Sequence, residues 1–171
     1  MRRRPHLGRV ADSLCARSRH VDDGQRSAVT GQHLSFPPNS ESLREVRAKT
    51  RAMSAELGAA PKVQDRVALV VDELVNNAIE HGASYRKAGT DLRLHISVAG
   101  DHLAIDFFDP EMPTSEVSEL AEGLRASAAG MPALENERGR GLFLLSIYLE
   151  HLAADSAEHG GLRLSGRLQR Q

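Results

Sequence analysis

From Lys62 to His81 the chain carries two helical stripes at once, and this limits its architecture more than any other segment. Val67, Val70, Val71, Leu74 and Ala78 recur at i, i+3, i+4, i+7 and i+11, which sets them on one face of an α-helix. Glu73, Asn76, Asn77 and Glu80 repeat the i, i+3, i+4, i+7 spacing on another face. Leu69 falls near that polar face, so the two stripes are not fully separated, and Gly82 closes the helix. A helix with so apolar a stripe needs a second layer to bury it.

Alternating segments supply that layer. Leu92, Leu94, Ile96 and Val98 alternate with Arg93, His95 and Ser97; Gly100-Asp101 turns the chain; Leu103, Ile105 and Phe107 alternate again. This predicts an antiparallel hairpin. Leu162, Leu164 and Leu168, between Arg163, Ser165 and Arg167, predict a final strand. His33 to Phe36 reads as a short edge strand, stopped by Pro37-Pro38, which cannot donate to a ladder. A helix begins at Asn39 or Ser40, or later if Ser42 and Glu45 form a capping box. Leu43, Val46, Met53 and Leu57 are its inner face, and Gly58 and Pro61 end it. Asp109 to Asn136 reads as a loop with short helical potential. Leu142, Leu145, Leu149 and Leu152 mark a further helix, entered through Gly139-Arg140-Gly141. The pattern predicts an α/β two-layer sandwich, a mixed, mostly antiparallel sheet with helices on one face.

The length, 171 residues, suits one domain with a tail. Residues 1–33 are Arg-rich, lack periodicity and read as a disordered tail, which leaves 34–171 as the domain. The single cysteine, Cys15, excludes an intrachain disulfide and points to a reducing, cytoplasmic setting. The basic start lacks the apolar segment of a secretory signal, and no stretch approaches the roughly 20 apolar residues of a membrane span. A net charge of -1 argues against direct nucleic-acid or acidic-membrane binding.

Three stretches carry residue types suited to chemistry. Glu73 and Asn77 lie one helical turn apart and share a face. A phosphate-bound Mg2+ takes hard oxygen ligands, and an Asn carbonyl oxygen supplies one without adding negative charge. A carboxylate one turn earlier can hold a hydroxyl and accept its proton. A solvated polar helix face has the same spacing. Asp109, just past the second hairpin strand, can accept a hydrogen bond from an exocyclic amine such as that of adenine; a turn residue before Pro110 is the alternative. Glu137-Arg138-Gly139-Arg140-Gly141-Leu142 opens a helix with glycines that let backbone N–H groups approach phosphates, and Arg138 or Arg140 adds charge. A flexible loop is the alternative there.

In that order the stretches resemble the GHKL (Bergerat) ATP-binding fold, and within it the small bacterial anti-sigma-factor serine/threonine kinases and their actinobacterial relatives. DELVNNAIEHG (72–82) is similar to that family's N-box, FFDPEMP (107–113) to its first glycine box and ERGRGLFLL (137–145) to its second, over roughly residues 34–168. The resemblance implies ATP and Mg2+ as cofactors. It implies Glu73 as general base, Asn77 as the Mg2+ ligand and Asp109 as the reader of the adenine amine. His81 and Gly82 would close the N-box beside the nucleotide, with Met112 also at the nucleotide. Gly139, Arg140, Gly141 and Leu142 would lie in or beside the lid over the phosphates. It further implies transfer of the γ-phosphate to a serine on a STAS-type anti-anti-sigma partner, sequestration of a sigma factor, and dimerisation.

Two departures stand out. Pro110, Met112 and Pro113 leave no glycine after Asp109, where the family usually has DxGxG, although actinobacterial relatives show proline-containing versions. The final segment HGGLRLSGRL (159–168) lacks the Gly-Lys-Thr pattern common there. The second reading is therefore a module of the same fold that holds a sigma factor or STAS partner, with ATP weakly bound or lost. A histidine-kinase catalytic part needs a phosphoacceptor His on a dimerising helical hairpin, which the irregular first 33 residues are not expected to form.

Overall fold

A computed structural model of the chain describes residues 31–128 and 137–171. Its elements are β1 (Gly31–Phe36), α1 (Leu43–Glu56), α2 (Pro61–Gly82), β2 (Leu92–Ala99), β3 (His102–Asp109), α3 (Thr114–Ala128), α4 (Glu137–Tyr148), β4 (Glu150–Ser156) and β5 (Leu162–Gln169). The tail reading lies outside the described residues except for Gly31–His33, which already pair with β2. The strands form one sheet in the order β1-β2-β3-β5-β4. Each of these pairings is antiparallel.

Register decides which side chains meet the helices. Leu94 pairs with Phe107 and Phe107 with Leu164, and all three are buried. Their neighbours one residue away, Arg93, Phe108 and Arg163, fall on the opposite face, because side chains alternate along a strand. α2 lies against the inner face through Val63, Val67, Val70, Val71, Leu74, Val75 and Ala78. Each fully buried aliphatic side chain of this kind contributes about 1.5–3 kcal/mol relative to exposure. Pro61 occupies the first turn of α2, where its missing N–H leaves no bond unmade, and the Ala60 carbonyl accepts the N–H groups of Val63 and Gln64 at 2.8 and 3.0 Å. Leu69 is 42% exposed, in keeping with its place beside the polar stripe.

Several boundaries differ from the sequence reading. α1 starts at Leu43, and the capping box does not form. Ser42 Oγ donates instead to the carbonyls of Pro37 and Asn39, while Glu45 pairs with Lys49. The stretch after Asp109, expected to be mostly loop, holds the 15-residue helix α3, with Val117, Leu120 and Leu124 buried. α4 stops at Tyr148, so Leu149 and Leu152 leave the helix and the chain enters edge strand β4. His151 has φ 54° and the β4–β5 register shifts between Glu150 and Ala153, a bulge at the start of that strand. No helix among the described residues is long and apolar enough to cross a membrane.

Candidate active site

α2 and α4 meet at a glycine. A Cβ at Gly141 would lie 2.2 Å from Glu73 Oε1 and 3.1 Å from Asn77 Nδ2, so glycine lets the α4 backbone rest on these two side chains as they stand, and any larger residue would displace the Glu73 carboxylate. Asn77 Nδ2 donates to Glu73 Oε1 at 3.2 Å. That bond turns the amide nitrogen toward the carboxylate and leaves the carbonyl oxygen as the group for a cation. Both side chains are half-buried on α2. Asp72 faces the other way and is bonded to Arg47 of α1, which ties the two helices together.

Beside this pair runs a narrow apolar cleft, bounded by Leu74, Asn77, Ala78 and His81 of α2, by Phe107, Met112 and Leu120, and by Leu145, Leu162 and Leu164. Its polar side chains are those of Asn77 and His81. His81 Nε2 is buried without a hydrogen-bond partner, which leaves it free to bond something that enters. Asn77, His81 and Met112 are thus brought to one place, with Glu73 adjacent.

Asp109, by contrast, does not line the cleft. It is the last residue of β3 and is fully buried. Its Oδ1 accepts from Arg86 Nη1 (3.2 Å) and from the Glu111 N–H (3.1 Å), and its Oδ2 accepts from Arg86 Nη2 (2.7 Å) and the Tyr85 hydroxyl (2.8 Å). Burial and the Asp109 carboxylate push the Tyr85 hydroxyl well above its ordinary pKa. Arg86 Nη2 also donates to the Ala78 carbonyl at 3.2 Å. The guanidinium lies across Gly82, where a Cβ would stand 2.7 Å from Nη2. Gly82 therefore serves Arg86, at the end of the N-box helix.

Glu111 completes the clamp. Its carboxylate accepts the backbone N–H groups of Lys87, Ala88 and Thr90 at 2.8, 2.8 and 2.6 Å. These bonds hold its pKa down at about 2. Asp109 and Glu111 together fix the α2–β2 connection. Gly161, φ 81°, in the β4–β5 turn lies against the same stretch: a Cβ there would stand 2.4 Å from the Asp109 carbonyl oxygen. Sequence reading missed Tyr85, Arg86, Glu111 and Gly161. Tyr85 and Arg86 follow the N-box directly, but their partners lie 23–24 residues away, a distance no spacing rule covers.

Gly139, Arg140 and Gly141 fall in the first turns of α4 rather than in a loop ahead of it. The side chains of Arg140 and Leu142 lie outside the described residues.

A family model for the histidine kinase-like ATPase domain matches residues 36–165. The chain belongs to that family. This histidine kinase-like ATPase domain is similar in fold to a chain of the SiaB–SiaC complex from Pseudomonas aeruginosa. The TM-score is 0.60 and the identity 19%, with 80% of this chain and 87% of the other covered. It is also similar to a structure of RsbU and RsbW domains from Mycobacterium tuberculosis, with a TM-score of 0.56, 17% identity and 82% of this chain covered. There it spans 32% of the larger chain. No curated protein matches the sequence.

The family implies ATP, and the residues fit it unequally. The carboxamide oxygen of Asn77, the neighbouring carboxylate and the unpartnered His81 nitrogen suit the charged end of a nucleotide. The Asp109 carboxylate lies outside the cleft and has its acceptor positions filled by protein donors.

Proposed function

We propose that this chain is an ATP-dependent protein serine/threonine kinase that acts as an anti-sigma factor, phosphorylating a serine on a STAS-type anti-anti-sigma partner in the cytoplasm. The observation that carries the reading is the Glu73–Asn77 pair, bonded at 3.2 Å on the wall of an apolar cleft and roofed by Gly141. The similarity in fold to structures that contain a SiaB–SiaC complex and an RsbW domain supports a partner protein.

When bound, Mg-ATP supplies the transferable phosphoryl group. Asn77 would hold the metal through its side-chain oxygen, and Gly139, Arg140 and Gly141 at the α4 N-terminus would face the phosphates, since a helix start favours anions. Glu73 would accept the proton of the incoming serine hydroxyl. Leu74, Phe107, Met112 and Leu164 line the cleft and would keep water from a bound base. The test is Glu73→Ala, assayed separately for transfer and for nucleotide affinity. Transfer falls by about 10²–10⁴-fold while affinity for Mg-ATP stays within a few-fold. Transfer at the wild-type rate would remove Glu73 from the chemistry.

One observation favours a second reading, a partner-holding module with weak or absent ATP use: the donors already seated on Asp109. Binding of the partner without any phosphorylation, with Mg-ATP present at millimolar concentration, would select it.

A further inference from the structure

We propose that the sheet face turned away from the helices carries a phosphate-binding site, built by Arg163 and Arg167 of β5 and by His151 at the start of β4. The proposal is independent of the nucleotide reading, because the cleft is lined by the opposite face of the sheet.

Register brings these groups together. Arg163, Ser165 and Arg167 alternate with the buried Leu164, Gly166 and Leu168, so they share the open face. Glu150 pairs with Arg167 and Ala153 with Ser165, and the extra residues between them form the bulge. The bulge sets His151 beside the stretch from Ser165 to Arg167. All three side chains line one depression of about 180 Å³, together with Ala104, Asp106 and Ser165.

The donors there are aimed and largely unspent. Arg163 donates to Asp106 Oδ1 from Nε at 2.9 Å and from Nη2 at 2.8 Å. That grip fixes the guanidinium and leaves Nη1 and the second Nη2 hydrogen for a ligand. Arg167 and His151 are exposed, and neither side chain has a hydrogen-bond or ion-pair partner among the described residues. Of the nearby acids, Asp106 is taken by Arg163, and Glu150 lies 3.4 Å from His102 Nε2. Asp155 stands opposite Arg163 in the ladder, which places the ligand toward Arg167 and His151. A phosphate presents three strong acceptor oxygens in a tetrahedral array, so donors arriving from two strands suit it better than a planar carboxylate.

Backbone strain points to the same spot. His151, at φ 54°, is the non-glycine residue at positive φ among the described residues. Glycine would sit there without strain, yet the chain places an imidazole. Such strain concentrates at binding sites, and bulges serve to re-aim a side chain.

The experiment is a proton–nitrogen NMR titration of the full chain with inorganic phosphate and, separately, with O-phosphoserine, each against sodium chloride at matched ionic strength. Saturating shifts are expected at His151, Ser165 and Arg167 with phosphate and not with chloride. Arg167→Ala is expected to weaken phosphate by at least about fivefold; the side chain is exposed and unbonded, so this variant keeps the fold. His151→Gly removes imidazole and strain together. It is expected to weaken phosphate by about threefold while its thermal midpoint is no lower than that of wild type. Tighter binding of phosphoserine than of phosphate would assign the group to a modified protein side chain, and otherwise to a free ion; both results support the site. Shifts that chloride reproduces would reveal screening alone and overturn the proposal. Saturation unchanged in both Arg167→Ala and His151→Gly would overturn it too.

Discussion

Asp109→Asn tests the clamp directly, because it keeps the shape of the side chain and removes its charge. In the native chain the pair is shielded from water, with Arg86 10% and Asp109 0% exposed. Removing one partner of a buried ion pair costs about 3–5 kcal/mol, since the remaining charge stays desolvated and unpaired. Arg86 keeps the Ala78 carbonyl at 3.2 Å, a single neutral acceptor that only partly offsets the loss. Domains of this size have total stabilities of about 5–15 kcal/mol, so the change takes a large share. With a urea slope near 2 kcal/mol/M, the midpoint should fall by about 1.5–2.5 M. The chain has no Trp, so far-UV circular dichroism is the appropriate probe. Replacing both partners, Arg86→Met with Asp109→Leu, should recover only part of the loss: no charge is orphaned, but the Tyr85 hydroxyl and the Glu111 N–H lose their acceptor. A shift below about 0.3 M for Asp109→Asn would refute the reasoning, as it would show that the guanidinium is not held there in solution.

Three further outcomes follow from named contacts. Gly141→Ala should leave thermal stability nearly unchanged, because the clashing atom is the tip of the Glu73 side chain at 2.2 Å, yet it should abolish phosphotransfer by turning that carboxylate away from Asn77. Gly161→Ala should cost more than the about 1–2 kcal/mol of a left-handed backbone, because its Cβ would also meet the Asp109 carbonyl at 2.4 Å; urea melts measure it. Glu111 has its folded pKa lowered from 4.5 to about 2, so its contribution is fully present above pH 4.5 and is lost as pH falls toward 2. Glu111→Gln should therefore flatten the fall of the urea midpoint across that window, and an unchanged slope would count against the three N–H bonds.

The elements that could be read from sequence are those whose pattern matches what they bury. α2 has its apolar stripe from Val67 to Ala78 in the core, and the β2–β3 hairpin alternates as expected. α3 was harder. Val117, Leu120 and Leu124 have helical spacing, but Gly123 and the flanking Pro and Gly lower helix propensity, and the sheet and neighbouring helices supply what propensity does not. β4 reads EHLAADS, with little β-branched content, and becomes a strand because β5 offers it a ladder. Leu149 and Leu152 continued the leucine spacing of α4 by coincidence of phase. At the site, the Glu73–Asn77 pair is local in sequence and so was visible. The clamp on Asp109 is not, because it joins residues on opposite sides of the β2 strand.

The Glu73–Asn77 end of the fold and the Asp109 end, which does not line the cleft, are stabilised by opposite means. At the Glu73–Asn77 end the fold brings in backbone and leaves polar atoms under-used: Asn77 keeps its carbonyl oxygen, and His81 Nε2 has no partner. Such atoms cost folding free energy and gain it back when a ligand bonds them, which is how binding sites differ from cores. At the Asp109 end every acceptor is used internally, and Glu111 adds three more bonds to the same connection. Saturation there stabilises the turn between N-box helix and sheet, but a carboxylate that is already satisfied has little to offer a ligand. Ligand affinity in this domain should therefore follow the Glu73–Asn77 pair and His81.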